Sequence, residues 1–557
     1  SFSFGGTGTS GTTLAATTSA ARISGGDGAD LILNRGPITL QAGSALTTGS
    51  SSDAAFGISS GTVISGGVSQ AVGLDGGAGD DRIFNAGPLV VGSSSTLDLK
   101  ASGFTFGGTS GAQDTLTADS RSVGISGGAG ANRIYNEGTL TVTASSSLTA
   151  KADVDAAFGA TVTYGTTSAE SKATGISGGE KGDCVENVSE LTVTALSGAE
   201  IGKSTYVFGG TASSNGQAAT TARAEGIAAG DGDNRILNGL EGTVHVKAEA
   251  TARQSGSSTV TFGPPAAGAD AKAAAFATGI TGGGGNDGIV NLGTVEVNAY
   301  AKAEGDASAG AFLGSPRAIV NAGAEATATG IDAGAGKNVI VNDGQLTVTA
   351  EAEASGRAWA EEDAGDLATE EARAAAKAVS TAKGITAGNG DNFIVNNGTI
   401  TVTAAATPTA VAETEDNDVE RRSPSGAARA WGIQTGSGND GIVIGEQGSL
   451  QVNALGRTAT VLTGLSAVGI DAGAGHNRLI LLGSAAVTAS HGDAVGLMAA
   501  GDVSALGIQA AAGNDSIAIA NTGRLTVDGM ATGGVLFGGS GQTSAVGIDA
   551  GHGDNGI

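Results

Sequence analysis

The chain is organised by a glycine-rich turn that returns along its whole length. Residues 73–87 read GLDGGAGDDRIFNAG, and residues 124–138 repeat the turn as GISGGAGANRIYNEG. The apolar residue after the first glycine recurs at intervals of 48 to 54 residues, which shorten to 37–40 towards the C-terminal end. It falls at Ile23, Leu74, Ile125, Ile176, Ile227, Ile280, Ile331, Ile385, Ile433, Ile470, Ile508 and Ile548. Self-similarity at such a period is typical of a solenoid, in which each repeat stacks on the next.

Two further positions of the turn keep their chemistry from repeat to repeat. The residue seven after the apolar one is always Asp or Asn, here called Asx: Asp30, Asp81, Asn132, Asp183, Asn234, Asp287, Asn338, Asn392, Asp440, Asn477, Asp515 and Asn555. Glycines precede it at fixed offsets, and because glycine reaches positive φ without steric cost they predict a tight turn. Four residues after the Asx stands a second Asn: Asn34, Asn85, Asn136, Asn187, Asn238, Asn291, Asn342 and Asn396.

This second Asn predicts an internal amide ladder, in which each side chain bonds to the equivalent Asn of the next repeat. The alternative is that each Asn only caps its own Asn-x-Gly turn. Ile444, Leu481 and Ile519 take the position in later repeats.

Long alternating segments connect the turns. In the third repeat Leu140 and Val142 alternate with Thr141 and Thr143, and the pattern continues to Phe158. Strict period-two alternation indicates half-buried strands, with small apolar residues facing inwards. Residues 368–383 have helix-forming composition, but their alanines keep the same period, so a strand is expected there too.

Phe-Gly pairs such as Phe56-Gly57 and Phe158-Gly159 recur where the arms reverse, and Phe537-Gly538 closes a shorter arm. We interpret them as the far turn, with the Phe ring plugging the end of the inner layer.

These patterns predict an all-β fold, a parallel β-solenoid (β-helix) of about twelve stacked repeats with long two-layer arms. Residues 1–21 are expected to form a partial first coil, 22–431 repeats of about 51 residues, and 432–557 shorter repeats of about 38–40 residues ending mid-repeat. The alternative packs each repeat as two coils of about 25 residues. The shorter repeats favour one coil, because losing a dozen residues shortens arms but would destroy the register of a second coil.

Composition excludes several classes of protein. Of 557 residues 98 are Gly and only 3% are aromatic, so the core must be built from small side chains. The net charge of −26 argues against nucleic-acid binding, since no basic patch is available for phosphates. Cys184 is the single cysteine, which rules out an internal disulfide. No apolar run is long enough for a membrane span.

Two segments resemble the calcium-binding nonapeptide of repeat-in-toxin β-rolls, G-G-x-G-x-D-x-U-x. They are Gly25–Leu33 and Gly76–Phe84, and the resemblance covers the turns but not the arms. It implies that calcium binds along the turn edge, since calcium takes oxygen ligands. The candidate ligands are Asp27, Asp30, Asp80, Asp81, Asp231, Asp233, Asp391 and Asp440. The alternative is that Asx serves turn geometry alone, which the many Asn residues favour.

The whole pattern, turn followed by a Leu-Thr-Val-Thr-Ala strand, resembles very large repetitive extracellular bacterial proteins of the β-strand-repeat and adhesin-stalk type. The resemblance implies a structural component of an extracellular filament, matrix or adhesin stalk at the cell surface. Such a chain is expected to associate end to end, or to continue as the same long chain, and to reach a surface polysaccharide or another cell-surface target.

Two other functions are weaker alternatives. A β-helix enzyme acting on polysaccharide needs a local catalytic constellation. The four histidines, His245, His476, His491 and His552, lie far apart, and the acidic run from Glu413 to Asp418 is typical of a solvated loop. Ice binding would need a uniform Thr array, but His245 and Lys247 occupy slots that Thr141 and Thr143 fill elsewhere. An enzyme is therefore not expected.

Overall fold

The computed structural model describes residues 2–20, 23–363, 369–415, 419–457, 464–494, 502–533 and 542–557. These residues form strands and turns and contain no helix. All the strand pairings between coils are parallel, which confirms the predicted all-β parallel solenoid. One sheet holds the short strands of eleven successive coils, and a second sheet holds the arms.

Each coil consists of a short strand, an outgoing arm and a return arm. A partial coil of β1 (Phe2–Ala20) and β2 (Ile23–Asp27) precedes coil 1. Coils 1 to 4 are β3 (Leu31–Asn34) and β4 (Ile38–Ala78); β5 (Arg82–Asn85) and β6 (Leu89–Gly128); β7 (Arg133–Asn136) and β8 (Leu140–Gly179); β9 (Cys184–Asn187) and β10 (Glu190–Gly230). In these coils both arms belong to one continuous strand.

From coil 5 onwards the two arms are separate strands. Coils 5 to 8 are β11 (Arg235–Asn238), β12 (Thr243–Phe262) and β13 (Pro265–Thr281); β14 (Gly288–Asn291), β15 (Thr294–Leu313) and β16 (Arg317–Asp332); β17 (Val339–Asn342), β18 (Gln345–Glu362) and β19 (Glu371–Thr386); β20 (Phe393–Asn396), β21 (Thr399–Thr414) and β22 (Val419–Gln434). The separation begins where Pro264 enters the far turn, because proline has no N–H to donate to the ladder. The strand expected within 368–383 is β19; residue 368 itself lies outside the described residues.

The last coils have shorter arms. Coils 9 to 11 are β23 (Gly441–Ile444), β24 (Ser449–Gly456) and β25 (Gly464–Asp471); β26 (Arg478–Leu481), β27 (Ser484–Ala494) and β28 (Asp502–Gln509); β29 (Ser516–Ile519), β30 (Arg524–Gly533) and β31 (Thr543–Asp549). We call the side of the stack with the Gly/Asx turns the near edge and the side where the arms reverse the far edge.

The strand register confirms one coil per repeat. Thr141 pairs with Thr192, 51 residues later, and the whole of β8 keeps this offset against β10. In coil 5 the offset grows from 51 at Asn238 to 53 at Val244, so the two extra residues lie in the near turn around Leu240. The two-coil alternative is wrong, because it would pair residues about half a repeat apart.

The space between the arms is filled by small side chains, as the alternation predicts. Leu140, Val142 and Ala144 are fully buried, whereas the intervening threonines are half-buried. A glycine column allows the layers to approach here: a Cβ on Gly124 would lie 2.7 Å from Val142 Cγ2 and 2.9 Å from Leu140 Cδ1. The core is therefore continuous from coil to coil, with no room for larger side chains at this level.

The prediction that Phe plugs the inner layer is wrong. Phe158 is 50% exposed, although Ala156, the preceding inward residue, is buried. The two layers stop facing each other at this point, and Gly159, with φ at +126°, reverses the chain so that the ring projects outwards. Phe537-Gly538 lies outside the described residues.

The exposed rings instead form an aromatic column along the far edge, made of Phe4, Phe56, Phe106, Phe158, Phe208, Phe262 and Phe312. Successive rings pack edge to face with centroids 5.5–6.5 Å apart. The column zigzags, since Phe56 pairs with Gly107, and Gly107 pairs with Phe158. A glycine thus alternates with the rings until Phe262, which pairs with Leu313. A Cβ on Gly107 would lie 3.2 Å from Phe56 Cδ1.

Candidate functional site

The Asx residues form a continuous column along the near edge. The backbone N–H of each Asx donates to the Oδ1 of the Asx in the next coil, as from Asp81 to Asn132 and from Asn132 to Asp183. These bonds measure 2.6–3.2 Å from Asp30 to Asn555. The turn is formed by glycines at positive φ, such as Gly77 at +99° and Gly79 at +128°, as predicted.

The second Asn column lies inside, four residues further along the chain, and it confirms the predicted amide ladder. Asn136 Nδ2 donates to Asn187 Oδ1 at 2.8 Å, and Asn187 Nδ2 donates to Asn238 Oδ1 at 3.0 Å. The same bond links every coil from Asn34 to Asn396 at 2.7–3.0 Å. Buried amides are thus satisfied by one another along the stack.

Asn and Asp are not equivalent in the Asx column. Asn234 Nδ2 donates to the carbonyls of Gly230, Gly232 and Gly282 at 2.8–3.0 Å. Aspartate places an oxygen where asparagine places this nitrogen. The Oδ2 of Asp81 lies 2.5 Å from a Cβ built on Gly76, and Asn132 Nδ2 lies 2.7 Å from one built on Gly127.

At the aspartate positions an acceptor therefore stands where a donor is needed. The Oδ2 atoms concerned are buried and have no hydrogen-bond partner among the described residues: Asp30, Asp81, Asp183, Asp287, Asp440 and Asp515. A buried acceptor left facing carbonyls is costly, and either a proton on the carboxyl or a bound cation would satisfy it.

Burial also changes the acidity of these carboxyls. Burial raises the pKa of Asp183 to about 6, although its hydrogen bonds from Asn132 act in the opposite direction. Burial likewise raises the pKa of Asp287 and of Asp440. Each of these three residues has Asn on both sides in the column, so the nearest buried carboxylates of the column are at least two coils away.

The predicted calcium ligands occupy three kinds of position. Three of them belong to the Asx column and carry a partnerless Oδ2: Asp30, Asp81 and Asp440. Three are exposed and accept a backbone N–H from the next coil at 2.7–3.0 Å: Asp80, Asp233 and Asp391. Asp27 and Asp231 are exposed residues of the same edge. The sequence-based set omits Asp183, Asp287 and Asp515, although their place in the repeat marked them as equivalent.

A groove of about 480 Å³ runs along the near edge of coils 2 to 5. Four of the lining carboxylates are those of Asp80, Asp81, Asp183 and Asp233, and three arginines, Arg82, Arg133 and Arg235, also line it. The oxygen donors suit a hard cation, but the guanidinium groups lower the attraction for one. At Asp440 the arginine position of the same coil is held by Gly441, although Arg478 takes that position in the next coil.

A separate acidic cluster lies at the far edge of coils 7 and 8. Glu361, Asp363 and Glu415 each bring a carboxylate oxygen within 4.8 Å of the others, and no other such group of three occurs in the described part of the chain. The neighbouring Glu370 accepts the backbone N–H groups of Glu362 and Glu415 at 2.6 and 2.8 Å. Asp416 and Asp418 of the predicted acidic loop lie outside the described residues.

Comparison of the chain with protein-family models, with curated proteins and with solved structures gave no match. Among the described residues, no helix is long and apolar enough to cross a membrane.

Proposed function

We propose that this chain is a structural component of an extracellular filament, matrix or adhesin stalk. The observation that carries the proposal is the continuity of bonding along the stack. Each of coils 1 to 8 is joined to the next by parallel backbone ladders in both sheets, by the Asx column and, up to Asn396, by the Asn column. A pull along the axis is shared by all the bonds of one coil interface, so many bonds must fail together.

The same bonding extends naturally to a neighbouring coil, whether it belongs to the same long chain or to a second copy. A strand edge with unpaired N–H and C=O groups is a template for another strand. A cell-surface polysaccharide or protein target would then be reached by the stalk as a whole. The location proposed is extracellular or at the cell surface.

Imaging and pulling experiments test this proposal. Electron microscopy of the purified protein should show rods or fibres, and single-molecule stretching along the stack should give cooperative rupture of successive coils. Labelling of intact source cells with an antibody should reach the protein from outside. Separate particles that never associate, together with labelling only after the cells are opened, would contradict the proposal.

Calcium belongs to the proposal as a stabiliser of the Asx column. A cation that binds only the native state raises the melting temperature according to its concentration. Melting temperatures with calcium and with a chelator should therefore differ, and Asp440→Asn should reduce this difference. The control Asp306→Asn, at an exposed aspartate on the outgoing arm of coil 6, should leave the difference unchanged. Identical melting curves with and without calcium would leave the proton as the species that satisfies Oδ2.

A further inference from the structure

A lysine and an aspartate contact each other between the two layers of arms, away from both edges. The Lys203 Nζ contacts the Asp114 Oδ2, and their side chains are 0% and 1% exposed. Lys203 stands on the outgoing arm of coil 4 and Asp114 on the return arm of coil 2, 89 residues away. Both occupy inward positions that alanine, serine or leucine fills at neighbouring sites, such as Ala152 and Leu116.

The intervening coil leaves room for this contact. Gly165 pairs with Asp114 on the return arm of coil 3, and a Cβ at Gly165 would collide with Asp114 Oδ1 and Lys203 Cε. The lysine of coil 4 thus passes the vacant side-chain position of coil 3 to reach coil 2. Any other residue at 165 would separate the two groups, so the contact is specific to this triplet of positions.

The surroundings favour the uncharged forms of both groups. Burial raises the pKa of Asp114, and the nearby Lys203 ammonium only partly opposes this effect. Burial lowers the pKa of Lys203, again against the attraction of Asp114. Desolvation of two charges is costly even when they are paired. Transfer of one proton from the ammonium to the carboxylate gives a neutral amine in contact with a neutral carboxylic acid.

We propose that Lys203 and Asp114 become joined by an intramolecular isopeptide bond. The lone pair of Nζ attacks the Asp114 carboxyl carbon and forms a C–N bond. The C–O bond to the hydroxyl breaks, this hydroxyl takes a proton from the nitrogen, and one water molecule leaves. No oxidant, reductant or other reactant is needed, and proximity in a rigid, dry site supplies the orientation that the reaction requires.

Two hydroxyl-bearing side chains lie next to Gly165 along the return arm of coil 3. Thr163 and Thr167 flank Gly165 on the same inward face of β8. Their Oγ1 atoms are buried and have no hydrogen-bond partner among the described residues. A hydroxyl can both donate and accept a proton, so these residues are placed to assist the proton transfers as positioning residues.

Such a bond would link coil 4 covalently to coil 2, across the two layers and past coil 3. The enclosed loop of about 89 residues could not come apart without breaking a covalent bond. The inference concerns the chain's own chemistry and holds whatever the protein attaches to.

Intact-mass spectrometry of the denatured full-length protein tests it. The wild-type chain should weigh one water molecule less than its sequence requires, and Lys203→Met and Asp114→Ala should each restore the full mass. Lys151→Met, an exposed lysine of the neighbouring coil, is the matched control and should keep the water loss. Proteolysis should yield a branched peptide that contains both Lys203 and Asp114.

The wild-type mass alone can overturn the proposal, independently of how any variant folds. The full sequence mass in protein that circular dichroism shows to be folded would mean that the pair is only ionic. A water loss that persists in Lys203→Met would indicate a cyclic imide instead, for example at Asp231-Gly232, and would also overturn it.

Discussion

The chain reverses direction once per coil at the near edge and once at the far edge, and different kinds of side chain stabilise the two turns. At the near edge the turn is closed by buried Asx and Asn columns whose hydrogen bonds run from coil to coil. At the far edge it is closed by half-exposed phenylalanine rings that contact one another edge to face. Both edges need glycine at positive φ, as at Gly79 and Gly159.

This difference between the two edges explains why prolines and shorter arms occur at the far edge. The far edge admits Pro264 and Pro316 and receives shorter arms from coil 9, whereas the Asx column continues to Asn555. A hydrogen-bonded buried column has one register, and a defect in it leaves polar groups unpaired on both sides. A defect in the exposed aromatic column of the far edge removes only contact area between rings and leaves no polar group unpaired.

The largest effect is expected inside the Asn column, for Asn187→Leu. It removes the acceptor of Asn136 Nδ2 and the donor to Asn238 Oδ1, both buried. Two orphaned groups at ~1–3 kcal/mol each predict a loss of about 2–6 kcal/mol in the free energy of unfolding. Urea denaturation measures it.

The matched control is Asn396→Leu, at the end of the amide column beside Ile444. Only Asn342 loses its column partner there, and it keeps a bond to the Gly344 carbonyl at 3.4 Å. The expected loss is about 1–3 kcal/mol. Equal losses at both positions would show that the column is not cooperative and would remove the contrast between the two edges.

A smaller effect of the opposite sign is expected for Asp183→Asn. The new Nδ2 would donate to turn carbonyls, as Asn234 does, and should stabilise the fold by about 1–2 kcal/mol at pH 8. Because the pKa of Asp183 is raised from 3.8 to about 6, the native state holds a proton that the unfolded chain has lost. Wild-type stability should therefore fall as pH rises through this interval, and remain reduced above it.

Thermal melting of wild type and Asp183→Asn between pH 3.5 and pH 8 checks this. The two should converge at the acid end, separate as the pH rises from about 4 to about 6, and keep a constant difference above that. The exposed Asp80→Asn is the control, because Asn keeps the acceptor for the Ala131 N–H. A destabilised Asp183→Asn variant whose loss appears only with calcium would show that a cation occupies the site.

At the far edge Phe158→Ala should cost only about 1 kcal/mol, since the ring is half-exposed and loses two edge-to-face contacts. The buried Leu148→Ala in the same coil should cost ~2–5 kcal/mol. Denaturant titration of both variants compares them directly. A larger loss of unfolding free energy for Phe158→Ala than for Leu148→Ala would mean that the aromatic column stabilises the fold as strongly as the buried columns of the near edge.

The smallest effect is expected for deletion of Leu240 and Glu241. Their removal gives coil 5 the Asn-x-Gly turn that all the other long-armed coils except coil 4 have, and Leu240 is 80% exposed. The free energy of unfolding should change by less than about 0.5 kcal/mol. Loss of hydrogen-exchange protection at Asn238 after the deletion would show instead that the Gly242 carbonyl, to which Asn238 Nδ2 donates at 3.0 Å, is essential.

The repeat period predicts the coil, its register and both near-edge columns, because each follows from residues that recur at fixed offsets. The orientation of Phe158 could not be predicted, since alternation does not show where two facing layers end. The Lys203–Asp114 contact left a weaker signal: each residue is charged at an inward position, but pairing across two layers and three coils depends on stacking geometry. The partnerless aspartate oxygens could not be predicted either, because they are recognised only when the surroundings of Asn and Asp are compared in the folded turn.

The spacing between equivalent positions tests the account most directly. Thr141 and Gln451 lie on one outward column, joined through Thr192, His245, Glu296, Thr347 and Thr401. With Cys184→Ser as background, spin labels at Thr141→Cys and Gln451→Cys should give a distance near 29 Å by pulsed electron resonance, six steps of ~4.8 Å. A distance near ~58 Å would mean two coils per repeat and would contradict the account.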